Sequence, residues 1–105
     1  MKMISKIIKI ELQHFIGCPN SPVLIERVRE AIKEFDNIDY REVIVNSNEK
    51  ADEVKFRGSP TLLINGDDFE NQPEPESPAL ACRYYMNGLP GVDQIKEKIK
   101  MFLIK

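Results

Sequence analysis

The sequence of 105 residues predicts a single α/β domain, spanning residues 1–105, with one small mixed four-stranded sheet and flanking helices. Residues 7–15 alternate between apolar and polar side chains, a pattern typical of a half-buried strand. From Ser21 onward the apolar residues repeat with the period of a helix, and strand and helix patterns then alternate. Such alternation favours a parallel pair of strands joined by a right-handed crossover. A chain of this length can bury an ordinary core, so neither cysteine is required as a structural staple.

The first strand and the first helix have the clearest patterns. One face of the strand carries Ile8, Ile10, Leu12 and His14, and the other carries Lys9, Glu11 and Gln13. A polar face is unusual for a strand covered on both sides, so one face of the sheet is expected to be thinly covered or to meet polar partners. Ser21 followed by Pro22 suits a helix start, because serine caps helices and proline loses nothing at the first helical position. The apolar stripe of this helix consists of Leu24, Val28, Ala31, Ile32 and Phe35, and the helix is expected to end near residues 35–37.

The later elements are predicted from residue types and turn signals. Residues 38–45 are rich in β-branched and aromatic side chains and predict a second strand. Asn46 is the expected N-cap of a short helix over residues 47–56, with Glu49 placed to complete a capping box. The remaining predicted elements are a strand over 61–64, a turn over 65–68, a proline-rich loop over 69–79, a fourth strand over 82–86 and a last helix over 92–103. The order is therefore β-α-β-α-β-β-α, and the last two strands are expected to form a hairpin.

Composition and charge exclude several classes of function. The sequence is 42% hydrophobic and 30% charged with a net charge of -2, so it offers no basic surface for nucleic acid or for an anionic membrane. Lys2, Lys6 and Lys9 interrupt the apolar residues at the N-terminus, which argues against a signal peptide, and no segment is apolar for long enough to span a membrane. We therefore expect a monomeric cytoplasmic protein whose cysteines are thiols, redox partners or metal ligands rather than permanent disulfides.

Cys18 stands in the sequence GCPNS, between the first strand and the first helix. At a helix N-terminus the backbone N–H groups and the helix dipole favour the thiolate, which lowers the pKa of a cysteine below its ordinary value of about 8.5. The position therefore predicts a nucleophilic thiol. A buried cysteine that simply fills space in the core is the alternative for an isolated cysteine.

Three stretches of the sequence resemble proteins of the thioredoxin-like superfamily. They are GCPNS at 17–21, RGSPT at 57–61 and NGLPGVDQI at 87–95. The resemblance implies a thioredoxin-like domain in which Pro60 is cis and lies against Cys18. The stretches HFIGCP, GSPT, NGDDF and CRYY are also similar to a group of small thioredoxin-like proteins, some of them selenocysteine-containing, that are labelled as related to alkylmercury lyase.

Ser21 departs from the usual thioredoxin pattern, since it stands where a second cysteine would complete a C-x-x-C pair. The resemblance therefore implies a monothiol type, with Cys18 and Ser21 in the catalytic motif and with glutathione or a distant thiol completing the reaction. It also implies that the backbone of Ser59, beside Pro60, aligns the disulfide of a partner by strand-like hydrogen bonds. Arg57 precedes this turn and is a candidate electrostatic helper, with a solvated loop charge as the alternative.

Cys82 is the candidate resolving thiol, but the predicted sheet places it far from Cys18. Antiparallel pairing of residues 82–86 with residues 61–66 would leave it more than about 10 Å from the site, beyond the reach of a disulfide. A semi-buried structural cysteine is therefore the favoured expectation for Cys82. His14 lies about 13 Å from Cys18 along an extended strand and is expected to face the core rather than to act as a base.

The sequence predicts neither a cofactor nor a metal site. Two cysteines and one histidine lack the spacing of a zinc site, and the acidic stretch NGDDFE lacks the twelve-residue loop of a calcium site, so a hairpin turn with solvated carboxylates is expected there. The predicted function is thiol–disulfide exchange with protein or small-molecule thiols and disulfides, glutathione included. The alternative is a non-catalytic binding module for a protein partner or for a soft metal ion such as mercury. Cleavage of organomercurials is disfavoured, because no acid near the cysteines is evident to protonate the leaving carbon.

Overall fold

A four-stranded mixed sheet forms the centre of the protein in the computed structural model, which describes residues 7–103. The strands are β1 (Ile8–His14), β2 (Ile38–Ile44), β3 (Thr61–Ile64) and β4 (Asp67–Asp68). Their order across the sheet is β2-β1-β3-β4, with β1 parallel to β2 and antiparallel to β3. The predicted α/β class with a small mixed sheet is confirmed.

Three α-helices within residues 7–103 accompany the sheet: α1 (Ser21–Ala31), α2 (Asn48–Val54) and α3 (Val92–Leu103). A 3-10 turn over Ile32–Glu34 extends α1, which begins at Ser21 with Pro22 in its first turn. The expected capping role of Ser21 is wrong: the N-cap is Asn20, which makes no side-chain cap hydrogen bond, and the Ser21 hydroxyl lies beside that of Ser59 instead. The N-cap of α2 is Ser47 rather than the predicted Asn46, because the Ser47 hydroxyl accepts a 3.1 Å hydrogen bond from the N–H of Lys50. No helix in this part of the chain is both long and apolar enough to cross a membrane.

The main core lies between one face of the sheet and the helices α1 and α3. Its buried members are Ile8, Ile10, Leu12, Leu24, Val28, Ala31, Leu62, Ile64, Ile95 and Ile99. A second, smaller cluster packs α2 against the other face of the sheet through Val43, Val45, Ala51 and Phe56. Away from α2 this second face is polar, since Lys9 is exposed and the buried amide of Gln13 donates to Glu11. The polar residues of β1 thus meet solvent at Lys9 and a polar partner at Gln13, which is 1% exposed.

The fourth strand follows β3 immediately, and the prediction of a strand over residues 82–86 is wrong. Asn65 and Gly66 have φ angles of 51° and 85°, the left-handed values that a two-residue hairpin turn of type I′ requires. The chain therefore reverses at once, and β4 pairs antiparallel with the end of β3. Residues 69–91 then form a long connection without a regular strand or helix, apart from one isolated bridge at Cys82.

Candidate functional site

The two cysteines of the chain lie side by side. The Sγ atom of Cys18 is 3.6 Å from the Sγ atom of Cys82, and both are free thiols. Cys18 is only 3% exposed, whereas Cys82 is exposed to solvent. The expectation that Cys82 is semi-buried and lies more than about 10 Å from Cys18 is therefore wrong.

Backbone pairing with Ser59 explains how Cys82 reaches Cys18. The N–H of Ser59 donates to the Ala81 carbonyl, and the N–H of Arg83 donates to the Ser59 carbonyl, each at 2.8 Å. These bonds form a parallel bridge that sets Cys82 opposite Ser59. The Ser59 carbonyl also accepts a hydrogen bond from the Cys18 thiol at 3.5 Å. The distance between Cys18 and Cys82 expected from the sequence was too long because it assumed that residues 82–86 pair antiparallel with β3. The long connection instead folds back onto the residues that precede β3.

A tight turn between β1 and α1 positions Cys18. Gly17 has a φ angle of 99° and no atom lies within 4 Å of the position of a Cβ there, so the backbone angle rather than the available space favours glycine. The N–H of Cys18 donates to the Phe15 carbonyl at 3.5 Å, and the N–H of Ser21 donates to the Cys18 carbonyl at 3.2 Å. Cys18 is thereby held just before the first turn of α1, as predicted, with its side chain buried.

Hydrogen bonds at Cys18 favour its thiolate. Burial by itself would raise the pKa of this thiol. The pKa nevertheless lies below its ordinary value, because burial is outweighed by hydrogen bonds from the side chain of Ser59, the side chain of Ser21, the backbone of Asn20 and the thiol of Cys82. The pKa of Cys82 is raised, first by its hydrogen bond to Cys18 and then by burial and by the Cys18 charge. Of the two thiols, Cys18 is therefore the one that loses its proton more readily, and Cys82 is the one that keeps it.

Ser21 is buried beside the thiols, at the position where a second cysteine would complete a C-x-x-C pair. Its hydroxyl lies 3.0 Å from the hydroxyl of Ser59. The Ser59 hydroxyl in turn accepts a 3.2 Å hydrogen bond from the N–H of Phe15. The two hydroxyls are therefore fixed to each other and to the end of β1, next to Cys18. The peptide bond between Ser59 and Pro60 is cis, as the resemblance implied.

A buried ion pair holds the residue that follows Cys82. Arg83 donates two hydrogen bonds to Asp68, Nη1 to Oδ1 at 2.7 Å and Nη2 to Oδ2 at 2.8 Å, and both side chains are at most 2% exposed. Arg83 also lies 4.6 Å from the centre of the Tyr85 ring and donates to Glu70 at 3.3 Å. Two parallel hydrogen bonds fix the orientation of a guanidinium as well as its position. The ion pair therefore anchors the segment that carries Cys82 to β4.

The carboxylate of Asp68 is the part of the site that the sequence analysis missed. Asp68 is 4% exposed and is not one of the solvated carboxylates expected in this turn. Burial would raise its pKa, but hydrogen bonds from Arg83 and from the N–H groups of Gln72 and Glu70 hold the pKa below its ordinary value. One feature of the sequence could have indicated a buried carboxylate: Arg83 is a charged residue between a cysteine and two tyrosines, in a segment that otherwise suits burial.

Arg57 belongs to the same ionic cluster. Its Nε donates to the Gln72 carbonyl at 3.0 Å and lies 3.9 Å from Oδ1 of Asp68. The side chain is 10% exposed, so Arg57 is not a solvated loop charge. It also lines a groove together with Cys82, which keeps it adjacent to the exposed thiol.

The backbone of Ser59 is not free to pair with a partner strand. Its N–H and its carbonyl are both bonded to residues 81 and 83 of the same chain. A partner that used these hydrogen bonds would have to displace this segment, and Cys82 with it. The expected alignment of a substrate by Ser59 next to Pro60 is therefore replaced by an internal pairing that aligns Cys82.

Each thiol opens onto its own groove. The first, named the Cys18 groove, has a volume of about 430 Å³ and is lined by Cys18, His14, Phe15, Ile16, Pro22 and Arg29, among others. The second, named the Cys82 groove, has a volume of about 230 Å³ and is lined by Cys82, Arg57, Gly58, Pro73, Pro78 and Ala79, among others. His14 is buried at 8% exposure, as expected, but it also lines the Cys18 groove, and its Nδ1 has no hydrogen-bond partner within residues 7–103.

No group of three or more histidine, cysteine, aspartate or glutamate side chains within residues 7–103 is placed to hold a metal ion. In comparisons with known proteins, the chain matches no protein-family model and no curated protein. The pair of thiols and its surroundings are therefore the features from which a function can be inferred.

Proposed function

We propose that the protein is a thiol–disulfide oxidoreductase in which Cys18 and Cys82 form a reversible disulfide. The observation that carries this proposal is the distance of 3.6 Å between the two Sγ atoms. A disulfide bond joins sulfurs about 2.05 Å apart, so an approach of about 1.5 Å closes the bond. The lowered pKa of Cys18 and the raised pKa of Cys82 further support Cys18 as the nucleophile of the pair.

The resemblance of GCPNS and RGSPT to thioredoxin-like proteins supports the same proposal from the sequence. The proposal changes the monothiol expectation in one respect, because Cys82 takes the resolving role that the second cysteine of a C-x-x-C pair would have. Ser21 is left to hydrogen bond with the Cys18 thiolate.

In the proposed reaction the Cys18 thiolate attacks one sulfur of a substrate disulfide that enters by the Cys18 groove. A bond forms between Cys18 and that sulfur, and the other sulfur leaves as a thiolate and takes a proton from solvent. Cys82 then loses its proton and attacks the Cys18 sulfur, which releases the remaining substrate thiolate. The cysteine pair has lost two electrons, and the substrate disulfide has gained them.

The test uses the reduced full-length chain, oxidised glutathione and mass spectrometry. The wild-type chain should lose the mass of two hydrogens as the Cys18–Cys82 disulfide forms. The Cys82→Ala variant should stop at a glutathione adduct on Cys18, because its resolving thiol is missing. The matched Cys18→Ala variant keeps the exposed thiol but should exchange much more slowly, because the hydrogen bonds from Ser59 and Ser21 that favour a thiolate act on Cys18 and not on Cys82. A wild-type chain that forms no internal disulfide would refute the proposal.

A second candidate function is the binding of a soft metal ion, which the convergence of two sulfur atoms favours. Soft ions such as Cu(I) and Hg(II) prefer thiolate ligands over nitrogen and oxygen ligands. In this case titration of the reduced chain with Cu(I) should saturate at one ion per chain, and Cys18→Ala should abolish the binding. Saturable binding together with failure of the disulfide to form would favour a binding module over an oxidoreductase.

A further inference from the structure

We propose that the Cys18–Cys82 disulfide is reduced from the Cys82 side, by a thiol that enters the Cys82 groove and attacks the Sγ atom of Cys82. This inference rests on the proposed function and adds the site and chemical class of the second reactant. Oxidised substrate and reductant then use two different grooves. The reductant is a thiolate, supplied either by a small thiol or by a cysteine on a protein.

The first argument is access. Cys82 is exposed, whereas Cys18 is 3% exposed and is enclosed by the turn before α1 and by the segment that carries Cys82. Exchange requires the attacking sulfur to approach the disulfide in line with the bond that breaks, so access decides which sulfur is attacked. A thiol that approaches from solvent meets the sulfur of Cys82 first, and the sulfur of Cys18 lies behind it. Cys18 can be approached only by a molecule that fits the Cys18 groove.

The second argument concerns the leaving group. Attack on Cys82 expels Cys18, whose thiolate is hydrogen bonded by Ser21 and Ser59. Attack on Cys18 would expel Cys82, an exposed thiolate whose pKa neither serine lowers. The thiol of lower pKa leaves faster from a disulfide. Chemistry and access therefore favour the same sulfur.

The third argument is the shape of the Cys82 groove. Its volume of about 230 Å³ is large enough for the side chain and neighbouring atoms of one cysteine-containing reductant. Its walls come from the residues before β3, such as Arg57 and Gly58, and from the proline-rich connection, such as Pro78 and Ala79. None of these wall residues lines the Cys18 groove. The groove therefore leads to one sulfur of the pair.

The step balances as an ordinary thiol–disulfide exchange. A reductant thiolate forms a bond to the Sγ of Cys82, the Cys18–Cys82 bond breaks, and Cys18 leaves with the electron pair as a thiolate. A second reductant thiolate attacks the reductant sulfur of this mixed disulfide and releases Cys82, which takes a proton from solvent. Two electrons have passed from two reductant thiols to the cysteine pair, and the reductant ends as a disulfide.

The experiment first isolates the chain with its Cys18–Cys82 disulfide, and failure to obtain it would count against the proposed function rather than against this inference. The disulfide form is then mixed in one arm with glutathione and in the other with a thioredoxin variant that has its resolving cysteine replaced by serine. Acid quenching, alkylation of free thiols and peptide mapping locate the mixed disulfide. The arm that gives the higher yield distinguishes a small-thiol reductant from a protein reductant.

We expect the reductant on Cys82 and the alkyl group on Cys18, in at least about tenfold excess over the reverse arrangement. The reverse arrangement would overturn the inference. So would a disulfide that persists without any adduct in both arms.

A pair of bulky substitutions gives an independent readout of the entry route. Ala79 lines the Cys82 groove, and Leu80, the next residue, is exposed but does not. Ala79→Trp should slow reduction of the disulfide by about fivefold or more, and Leu80→Trp should leave the rate within about twofold of wild type, because only the first narrows access to Cys82. Equal rates of reduction in the two variants would contradict entry by this groove.

Discussion

Replacing Arg83 with methionine should lower the free energy of unfolding by about 3 kcal/mol. Removing one partner of a buried ion pair costs about 3–5 kcal/mol, because the remaining charge is left without compensation. Asp68 would keep two backbone donors, the N–H of Glu70 at 2.9 Å and the N–H of Gln72 at 3.1 Å. The Nε of Arg57, 3.9 Å away, would also remain. These groups partly compensate the carboxylate, which places the expected loss at the lower end of the range.

Urea unfolding followed by circular dichroism measures this loss. With a urea dependence of about 1–3 kcal/mol/M, a loss of about 3 kcal/mol moves the midpoint down by about 1–3 M. The matched control is Arg41→Met, because Arg41 pairs with Asp39 at 3.6 Å and the two side chains are 70% and 38% exposed. An exposed pair contributes at most about 1 kcal/mol, so the control should unfold close to wild type.

The second readout of Arg83→Met is the yield of the Cys18–Cys82 disulfide at a fixed ratio of reduced to oxidised glutathione. The yield should fall, because the segment that carries Cys82 loses its anchor to Asp68. Under these conditions Arg41→Met should match wild type. A variant at Arg83 that loses no more stability than the control, or that forms the disulfide as readily as wild type, would refute the anchoring role.

Three further predictions concern backbone space, thiolate stabilisation and pH. Gly58 has a φ of 101°, and Gly58→Ala would put a methyl group 2.8 Å from the Cβ of Arg83. This substitution should therefore reduce the yield of the Cys18–Cys82 disulfide. Gly66→Ala meets no atom within 4 Å and should only destabilise the fold, by about 1–2 kcal/mol. Ser21→Ala removes a hydrogen bond that lowers the pKa of Cys18, so alkylation of this thiol by iodoacetamide at pH 7 should slow. Folding lowers the pKa of Asp68, so this carboxylate contributes its full stabilisation above its unfolded pKa of about 3.9. The stabilisation is lost as the pH falls through the folded pKa, and urea unfolding at a series of pH values from 6 to 2 measures the loss.

Each of these predictions has an outcome that contradicts it. Equal disulfide yields in the two glycine variants would show that Gly58 does not set the position of the Cys82 segment. An unchanged pH profile of alkylation in Ser21→Ala would remove Ser21 from the stabilisation of the thiolate. Replacing Asp68 with asparagine should flatten the acid dependence, and a wild-type slope in that variant would assign the dependence to other carboxylates.

Local sequence patterns were sufficient for most of the fold. The predicted limits of β1, β2, β3 and α3 lie within one residue of those observed. β1 and α3 carry apolar residues with the period of a strand and of a helix, and β2 and β3 are short runs of β-branched, aromatic or other apolar residues. The position of Cys18 was also predictable, since Ser21 and Pro22 mark the start of α1. The turn at Asn65 and Gly66 was recognised, but the strand that must follow such a turn was placed too far along the chain.

The partner of Cys18 could not be predicted, because it depends on contacts between distant residues without a local pattern. Cys82 is positioned by a single bridge to Ser59 at the end of a long irregular connection. The ion pair between Arg83 and Asp68 is likewise a tertiary contact across that connection. An acidic turn and a lone arginine give no indication, taken separately, that they meet in the interior.

The ion pair between Asp68 and Arg83 has a consequence for how the protein could diversify. It closes the base of the connection between β4 and Cys82, so residues 73–80 are a loop whose two ends are already fixed in place. Doubling the length of a flexible loop costs only about 0.6 kcal/mol. Insertions and substitutions at the tip of this loop should therefore be tolerated without moving the two sulfurs. They should change the walls of the Cys82 groove, to which the loop contributes. Under the proposed function, the thiol chemistry and the recognition of the reductant belong to separate parts of the chain, and a grafted loop should redirect the second without altering the first.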